Sequence, residues 1–129
     1  MAKRPKTRLS LEEILQSTSL ALFPAQDGNA LISIETRDSE GDTALHILAH
    51  RGDLYACRLL LENGADANLQ GDIGYTPLHY AVMAQNRDLV AILLQHGART
   101  DLASEFGETA LSLARERKFK LGTKPDGDV

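Results

Sequence analysis

The stretch Thr76-Pro-Leu-His-Tyr-Ala81 opens a unit of sequence that recurs along the chain at a fixed distance. Thr43-Ala-Leu-His46 lies 33 residues before it, and Thr109-Ala-Leu-Ser112 lies 33 residues after it. The closing stretch recurs at the same distance, since Leu60-Leu-Glu-Asn-Gly-Ala65 is followed by Leu93-Leu-Gln-His-Gly-Ala98. No insertion interrupts this register, so the sequence predicts a stack of repeats that share one supersecondary unit.

Each unit has the pattern of two short helices joined by a turn. Thr is a good N-cap and Pro is tolerated in the first turn, so first helices are expected over about residues 44–50 and 77–84. Second helices are expected over about residues 54–63 and 87–96, where apolar residues fall on one helical face. One such helix pair cannot bury its apolar faces alone, and neighbouring units must therefore stack.

The repeated unit resembles the ankyrin repeat. Thr76-Pro-Leu-His79 matches the ankyrin motif residue for residue, and the other two units depart from it only at Ala44, Ala110 and Ser112. The resemblance covers residues 38 to about 119, roughly two-thirds of the chain. It implies an all-α repeat fold, an ankyrin solenoid of stacked helix pairs with short β-hairpin-like connecting turns.

The two ends of the chain depart from the repeat. Ser10 followed by Glu13 is a capping-box pattern, which predicts a capping helix over residues 9–22. Ile32-Ser-Ile34 predicts an extended lead-in to the first repeat. The expected division is a disordered basic tail at 1–8, the N-terminal capping helix and lead-in at 9–37, repeats at 38–70, 71–103 and a partial 104–119, and a disordered tail at 120–129.

The composition narrows the location of the protein. Cys57 is the single cysteine, so no intrachain disulfide is possible, and the apolar runs are too short for a membrane span or an export signal. We therefore expect a cytoplasmic location and no membrane partner. The basic stretch Lys3-Arg-Pro-Lys-Thr-Arg8 is interpreted as a solubilising tail or, in a eukaryote, as a nuclear targeting signal.

The charge of the chain is concentrated in its middle. Residues 38–114 contain four arginines and eleven acidic residues, a net charge of −7, whereas residues 1–37 carry +1 and residues 115–129 carry +2. Phosphate contacts need Lys and Arg, so the repeat body is not expected to bind nucleic acid. A partner protein with a basic surface fits this charge better, through long-range attraction.

No residue pattern indicates an active site. His46 and His50 have the spacing of metal ligands on a helix, but His46 occupies the motif position at which ankyrin proteins use histidine to bridge adjacent repeats. Cys57 falls on the apolar face of a helix, where a buried and inert cysteine is favoured over a catalytic thiol. We therefore expect no catalysis, no cofactor and no metal.

The ankyrin resemblance implies a partner-binding groove formed by the turn tips and the first helices. Ile73, Tyr75 and Phe106 are large residues in turns, where they mark an interaction patch, and acidic residues flank them like the rim of an interface. The alternative is that Ile73 and Phe106 cover each other. The expected partner-binding residues are Ser39, Glu40, Asp42, His50, Arg51, Asp72, Ile73, Tyr75, Met83, Glu105, Phe106 and Glu108.

Two functions remain open at this point. The first is a protein–protein interaction module that binds another protein and performs no catalysis. The alternative is a dedicated inhibitor or immunity protein that blocks a basic enzyme or toxin, as some stand-alone ankyrin proteins do. The chain is expected to be a monomer, or a weak dimer through apolar surface of the C-terminal repeat near Leu111, Leu113 and Phe119.

Overall fold

The computed structural model describes residues 9–119 and Leu121. Their regular structure is helical, which confirms the expectation of an all-α repeat fold. The tails expected to be disordered, residues 1–8 and 120–129, lie outside the described residues except for Leu121. The helices are α1 (Leu11–Gln16), α2 (Ser19–Leu22), α3 (Ala44–Arg51), α4 (Leu54–Glu62), α5 (Pro77–Met83), α6 (Arg87–Gln95) and α7 (Ala110–Glu116), with 3-10 turns at Pro24–Gln26 and Asp72–Gly74.

The helices form two stacked rows. The first helices of the repeats, α3, α5 and α7, pack on one another and form the inner row. The second helices, α4 and α6, form the outer row, and each packs on the first helix of its own repeat. Leu45, Leu60, Leu78 and Leu93 are fully buried, so the helices of the two full repeats cover one another's apolar faces.

Polar side chains fix the start of the repeat helices. The hydroxyls of Thr76 and Thr109 accept hydrogen bonds from the amides of the third residue of α5 and α7, at 3.3 and 3.0 Å. Asp53 and Asn86 cap the outer helices in the same way, at 3.1 and 3.2 Å. Each cap contributes about 1 kcal/mol to the stability of its helix.

The connections between repeats are tight turns without strands in the described residues. The turns at residues 38–42, 71–75 and 104–108 are each closed by a backbone hydrogen bond of 2.8 to 2.9 Å from the amide of the first residue to the carbonyl of the last. Each turn directly precedes an inner helix, and the three turns contain nine of the twelve predicted partner-binding residues.

The third repeat leaves the pattern at Phe119. The amide of Phe119 bonds to the carbonyl of Ala114 at 2.8 Å, just as the amide of Asn86, 33 residues earlier, bonds to Ala81 at 2.9 Å. Asn86 then caps α6, but the Phe119 side chain has no acceptor with which to cap a helix. The ring is instead 92% buried, and the guanidinium of Arg87 lies 5.2 Å from its centroid.

The N-terminal segment differs from the single helix expected over residues 9–22. The capping box of Ser10 and Glu13 is present, with hydrogen bonds of 2.8 and 3.1 Å, but α1 ends at Gln16 and α2 begins at Ser19. Ser17 and Thr18 interrupt the helix because their hydroxyls donate to carbonyls three residues earlier, at 2.5 and 2.7 Å. The two short helices still cover the first repeat, since α1 packs on α4 and α2 on α3.

The lead-in is also not extended as predicted. Residues 33–36 form a turn in which the amide of Thr36 donates to the carbonyl of Ser33 at 3.2 Å. The Thr36 hydroxyl in turn accepts from the Ser33 amide at 2.8 Å. Hydroxyl side chains that satisfy the local backbone favour such turns over an extended chain.

Candidate protein-binding surface

The predicted partner-binding residues lie on the three turns and on the inner helices, and we call this face of the stack the inner surface. It is formed by residues 38–42, 71–75 and 104–108 with the accessible side chains of α3, α5 and α7. The exposed members of the predicted set are Ser39, Glu40, His50, Arg51, Glu105 and Phe106, and the half-buried members are Asp42, Asp72, Ile73, Tyr75, Met83 and Glu108.

Hydrogen bonds hold neighbouring turns side by side. The Asp42 carboxylate accepts from the amide of Asp72 at 3.0 Å, which ties the first turn to the second. The amide of Glu105 donates to the carbonyl of Ile73 at 2.8 Å, which ties the second turn to the third. The three turns therefore present one continuous surface.

Two long side chains repeat a second set of links beneath the turns. Arg37 donates to the carbonyl of Gly41 at 3.0 Å and to that of Gln70 at 2.9 Å. Gln70, 33 residues later, donates to the carbonyl of Gly74 at 3.0 Å and to that of Ala103 at 2.8 Å. The turns are thus supported from their base, which fixes the backbone of the inner surface.

The middle turn has a strained backbone at its tip. Ile73 has φ +61°, in the left-handed region, where a β-branched residue is a rare exception. In the first and third turns, the side chains of Asp38 and Ser104 each accept hydrogen bonds from two backbone amides of the same turn, at 2.9 to 3.2 Å. Gly71 stands at the equivalent position, and a Cβ there would collide with the carboxylate of Asp42. The tip of the middle turn therefore lacks the side-chain support of its neighbours.

Two large apolar side chains occupy equivalent positions at the tips of the second and third turns. Phe106 is 71% exposed, whereas Ile73 is half-buried. The alternative in which these two side chains cover each other does not hold for Phe106. An aromatic ring so exposed in a hydrogen-bonded turn is available for contact with another molecule.

Three aromatic rings line the inner surface behind the tips, and we call His50, Tyr75 and Tyr80 the aromatic cluster. The Tyr80 ring centroid lies 5.1 Å from that of His50 and 5.6 Å from that of Tyr75, both in edge-to-face arrangements. The Tyr75 hydroxyl donates to the carboxylate of Glu108 at 3.0 Å. Tyr80 was not among the residues predicted for this surface, although its position directly after the motif residue His79 places it on an inner helix.

Burial and nearby acidic side chains raise the pKa of the two tyrosines of the aromatic cluster. Burial raises the pKa of Tyr80 to about 12, and the negative charges of Asp42, Asp72 and Asp38 act in the same direction. Burial also raises the pKa of Tyr75, with further contributions from its hydrogen bond to Glu108 and from the charge of that carboxylate. Both tyrosines therefore remain neutral donors at physiological pH.

The motif histidines link the backbone of the repeats. Nδ1 of His46 accepts from the amide of Thr43 at 3.0 Å, and Nδ1 of His79 accepts from that of Thr76 at 2.9 Å. The other ring nitrogen, Nε2, must then carry the proton. Nε2 of His46 donates to the carbonyl of Leu69 at 2.9 Å. Nε2 of His79 donates to the carbonyl of Glu108, in the third repeat, also at 2.9 Å. Burial lowers the pKa of both imidazoles.

The other candidate reactive groups have structural roles. Both ring nitrogens of His46 are already hydrogen bonded, so this side chain cannot form a metal pair with His50. Cys57 is fully buried, and burial raises the pKa of its thiol to about 12. The described part of the chain contains no group of three or more potential metal ligands. It also contains no helix of the length and apolar character needed to cross a bilayer.

Comparison with known families agrees with this architecture. The family profile described as "Ankyrin repeats (3 copies)" matches residues 22–104 and 49–120. The chain belongs to the ankyrin-repeat family. The match begins at residue 22, before the first unit that the sequence motif defines at residue 38, and it continues through the partial third repeat.

Similar proteins are much longer than this ankyrin-repeat chain. The human BCL-6 corepressor-like protein 1 is 38% identical over 67% of this chain and 5% of its own length. The Arabidopsis thaliana ADP-ribosylation factor GTPase-activating protein AGD4 is 38% identical over 70% of the chain and 11% of its own length. The mouse neurogenic locus notch homolog protein 1 is 46% identical over 60% of the chain and 3% of its own length. The chain thus corresponds to a small part of each relative.

Proposed function

We propose that this protein binds another protein through its inner surface and catalyses no reaction. Ankyrin repeats are protein–protein interaction modules, and this chain has the stacked helix pairs and projecting turns of that family. The observation that carries the proposal is the 71% exposure of Phe106 in a turn whose backbone is bonded to the adjacent turn. An exposed aromatic anchor on a fixed backbone is a typical centre of a protein interface.

The charge of the inner surface favours a basic partner. The turns at residues 38–42, 71–75 and 104–108 contain six acidic residues and no lysine or arginine. In the described part of the chain the ion pairs are Arg99–Asp101 and Arg117–Glu116, so the carboxylates of Asp38, Asp42 and Asp72 have no cationic partner there. Uncompensated negative charge accelerates the association of a positively charged protein and repels an acidic one.

The inhibitor function is a narrower form of the same proposal. Blocking a basic enzyme or toxin would use the same acidic surface, and only the identity of the partner distinguishes it from an adaptor. The cytoplasmic location stays a prediction. The activities named for the relatives concern proteins of which this chain spans 3 to 11%, and they do not decide between the two functions.

Affinity capture from a lysate of the source organism tests the proposal. Tagged wild-type protein is compared with the double variant Ile73→Glu/Phe106→Glu, and bound proteins are identified by mass spectrometry. Leu31→Glu is the matched control, because Leu31 is an apolar residue that is 90% exposed and belongs to neither the three turns nor the inner helices.

We expect a stoichiometric protein that is retained by the wild type and by Leu31→Glu and lost with the double variant. Thermal unfolding of all three proteins at similar temperatures would show that the loss does not arise from misfolding. Equal recovery with all three baits would contradict binding through the inner surface. A basic enzyme or toxin as the captured protein would select the inhibitor function.

A further inference from the structure

The aromatic cluster offers ring surface at the centre of the inner surface. His50 comes from the end of α3, Tyr75 from the middle turn and Tyr80 from α5, so the cluster spans two repeats. The rings touch edge-to-face, at centroid distances of 5.1 and 5.6 Å, and His50 is exposed while both tyrosines are half-buried. The face of an aromatic ring carries a negative potential that attracts cations.

Four carboxylates border these rings. Asp38, Asp42 and Asp72 lie close enough to Tyr80 for their charges to act on its hydroxyl, and Glu108 accepts the hydrogen bond of Tyr75 at 3.0 Å. Within the described residues none of the four forms an ion pair, and the carboxylate of Asp72 accepts no hydrogen bond. The ring faces and the carboxylates therefore both attract a positively charged group to the same place.

Two arginines near the aromatic cluster have partners outside it. Arg37 spends its donors on the carbonyls of Gly41 and Gln70. The guanidinium of Arg117 lies 3.6 Å from the carboxylate of its neighbour Glu116. Among residues 9–119, the cation that stacks on a ring is Arg87, on Phe119 and not on the aromatic cluster. Within the described residues the four carboxylates have no ion pair, although the charge of Arg117 acts on Tyr75 and the exposed Arg51 directly follows His50.

We propose that the aromatic cluster and its bordering carboxylates receive an arginine or lysine side chain of the partner protein. This inference rests on the proposed function, since it states the chemistry of the partner at the same surface. A guanidinium stacks on a tyrosine ring while donating to carboxylates, and an ammonium provides a point charge beside the same groups. An apolar side chain would desolvate the carboxylates without pairing them, and an acidic one would be repelled.

Peptides selected from a random library test this chemistry. Linear peptides displayed on phage are selected on the full-length protein, and the enriched sequences are synthesised. Their dissociation constants are measured by calorimetry for the wild type and for Tyr80→Leu, Tyr80→Phe, Asp72→Asn and Ile73→Glu. Each peptide is also made with its basic residue replaced by an uncharged counterpart, citrulline for arginine or norleucine for lysine, which distinguishes the two side chains.

We expect the enriched peptides to share a basic residue at one position. Its replacement by the uncharged counterpart raises the dissociation constant about tenfold or more, and Tyr80→Leu has a similar effect. Tyr80→Phe keeps the ring and changes the constant by about twofold or less. Asp72→Asn raises the dissociation constant of the charged peptide and leaves that of the uncharged peptide unchanged. A general loss of protein stability does not produce this coupling.

Two other results are informative. Peptides that lose affinity with Tyr80→Leu but contain no basic residue, or an equal effect of Asp72→Asn on charged and uncharged peptides, would overturn the cationic site and leave binding at the inner surface intact. Peptides that bind equally to the wild type, Tyr80→Leu, Asp72→Asn and Ile73→Glu, or the recovery of no peptide, would contradict both this inference and the proposed function.

Discussion

At the scale of single residues, the motif histidines couple the stability of the stack to pH. Each imidazole accepts a backbone amide hydrogen bond at Nδ1, so only its neutral form fits the folded protein. Burial is the main cause that lowers the pKa of both side chains below the ordinary value of 6.5. The charge of Asp42 opposes this shift at His46, and that of Glu108 opposes it at His79, while Arg37 reinforces it at His46.

We predict that the free energy of unfolding decreases as the pH falls below about 6.5. The unfolded chain then binds protons that the folded protein excludes, so stability is fully present above this pH and is lost toward the lower pKa of the folded state. The slope is at most about 1.4 kcal/mol per pH unit for each histidine. Urea denaturation between pH 5 and 8 measures it. His50→Gln, at an exposed histidine outside the motif positions, is the matched control variant. A slope that persists in His46→Gln/His79→Gln would contradict the assignment.

Ile73 illustrates a conflict between stability and surface chemistry. Its left-handed backbone costs about 1–2 kcal/mol, a strain that Asn tolerates better. We predict that Ile73→Asn raises the free energy of unfolding by about 1 kcal/mol and weakens partner binding, measured by urea denaturation and by affinity capture. Glu40→Asn at the equivalent tip is the control, since position 40 has no positive φ. A lower free energy of unfolding in Ile73→Asn would show that the apolar contacts of Ile73 contribute more to stability than its strained backbone costs.

The sequence predicted part of the inner surface at this scale. Large residues are unusual in turns, and the turns can be recognised from the sequence alone. This is why the sequence indicated Ile73, Tyr75 and Phe106. Tyr80 was missed because its equivalents in the other repeats, Ile47 and Leu113, are apolar, which made the position part of the helix core. The ring contacts of Tyr80 depend on two repeats at once, and sequence spacing alone does not show them.

At the scale of elements, the helices follow from their caps. The boundaries of the four helices in the two full repeats agree with the sequence expectation to within one residue, because Thr, Asp and Asn caps stand at their starts. The N-terminal segment was predicted less well. It has no second copy in register for comparison, and the hydroxyls of Ser17 and Thr18 compete for carbonyls that a continuous helix needs.

Phe119 is predicted to act as the terminal plug of the stack. Its buried ring occupies the place at which a further outer helix would start, so Phe119→Ala should lower the free energy of unfolding by about 2–3 kcal/mol, somewhat less than for a central core position. Phe106→Ala provides the matched control, because its exposed ring contributes about 0.5 kcal/mol or less. Equal melting temperatures of the two variants would contradict this role of Phe119.

At the scale of the whole molecule, the stack is unequal at its two ends. Leu45 and Leu78 are at most 1% exposed, and each lies in an inner helix on which a further inner helix packs. Leu111, at the equivalent position of α7, is 42% exposed since the described residues contain no inner helix beyond α7. The C-terminal end of the stack thus presents apolar surface where the repeats before it are covered.

This asymmetry predicts weak self-association. We expect a monomer at micromolar concentration whose apparent mass in sedimentation velocity rises as the concentration increases, and Leu111→Lys should abolish the rise because it places a charge in the contact. Leu20→Lys, at an exposed leucine of the N-terminal helices, is the control. Association that survives in Leu111→Lys, or is absent from the wild type, would mean that the C-terminal end is not a contact between copies.

Hydrogen exchange of the complex with the captured partner shows whether the partner protein docks on the inner surface. We predict slower exchange in residues 38–51, 71–84 and 104–117, which form the turns and the inner helices, and unchanged exchange in the outer helices α4 and α6. Protection confined to α4 and α6, with the turns exchanging as in the free protein, would mean that the partner docks on the outer helices and not on the inner surface.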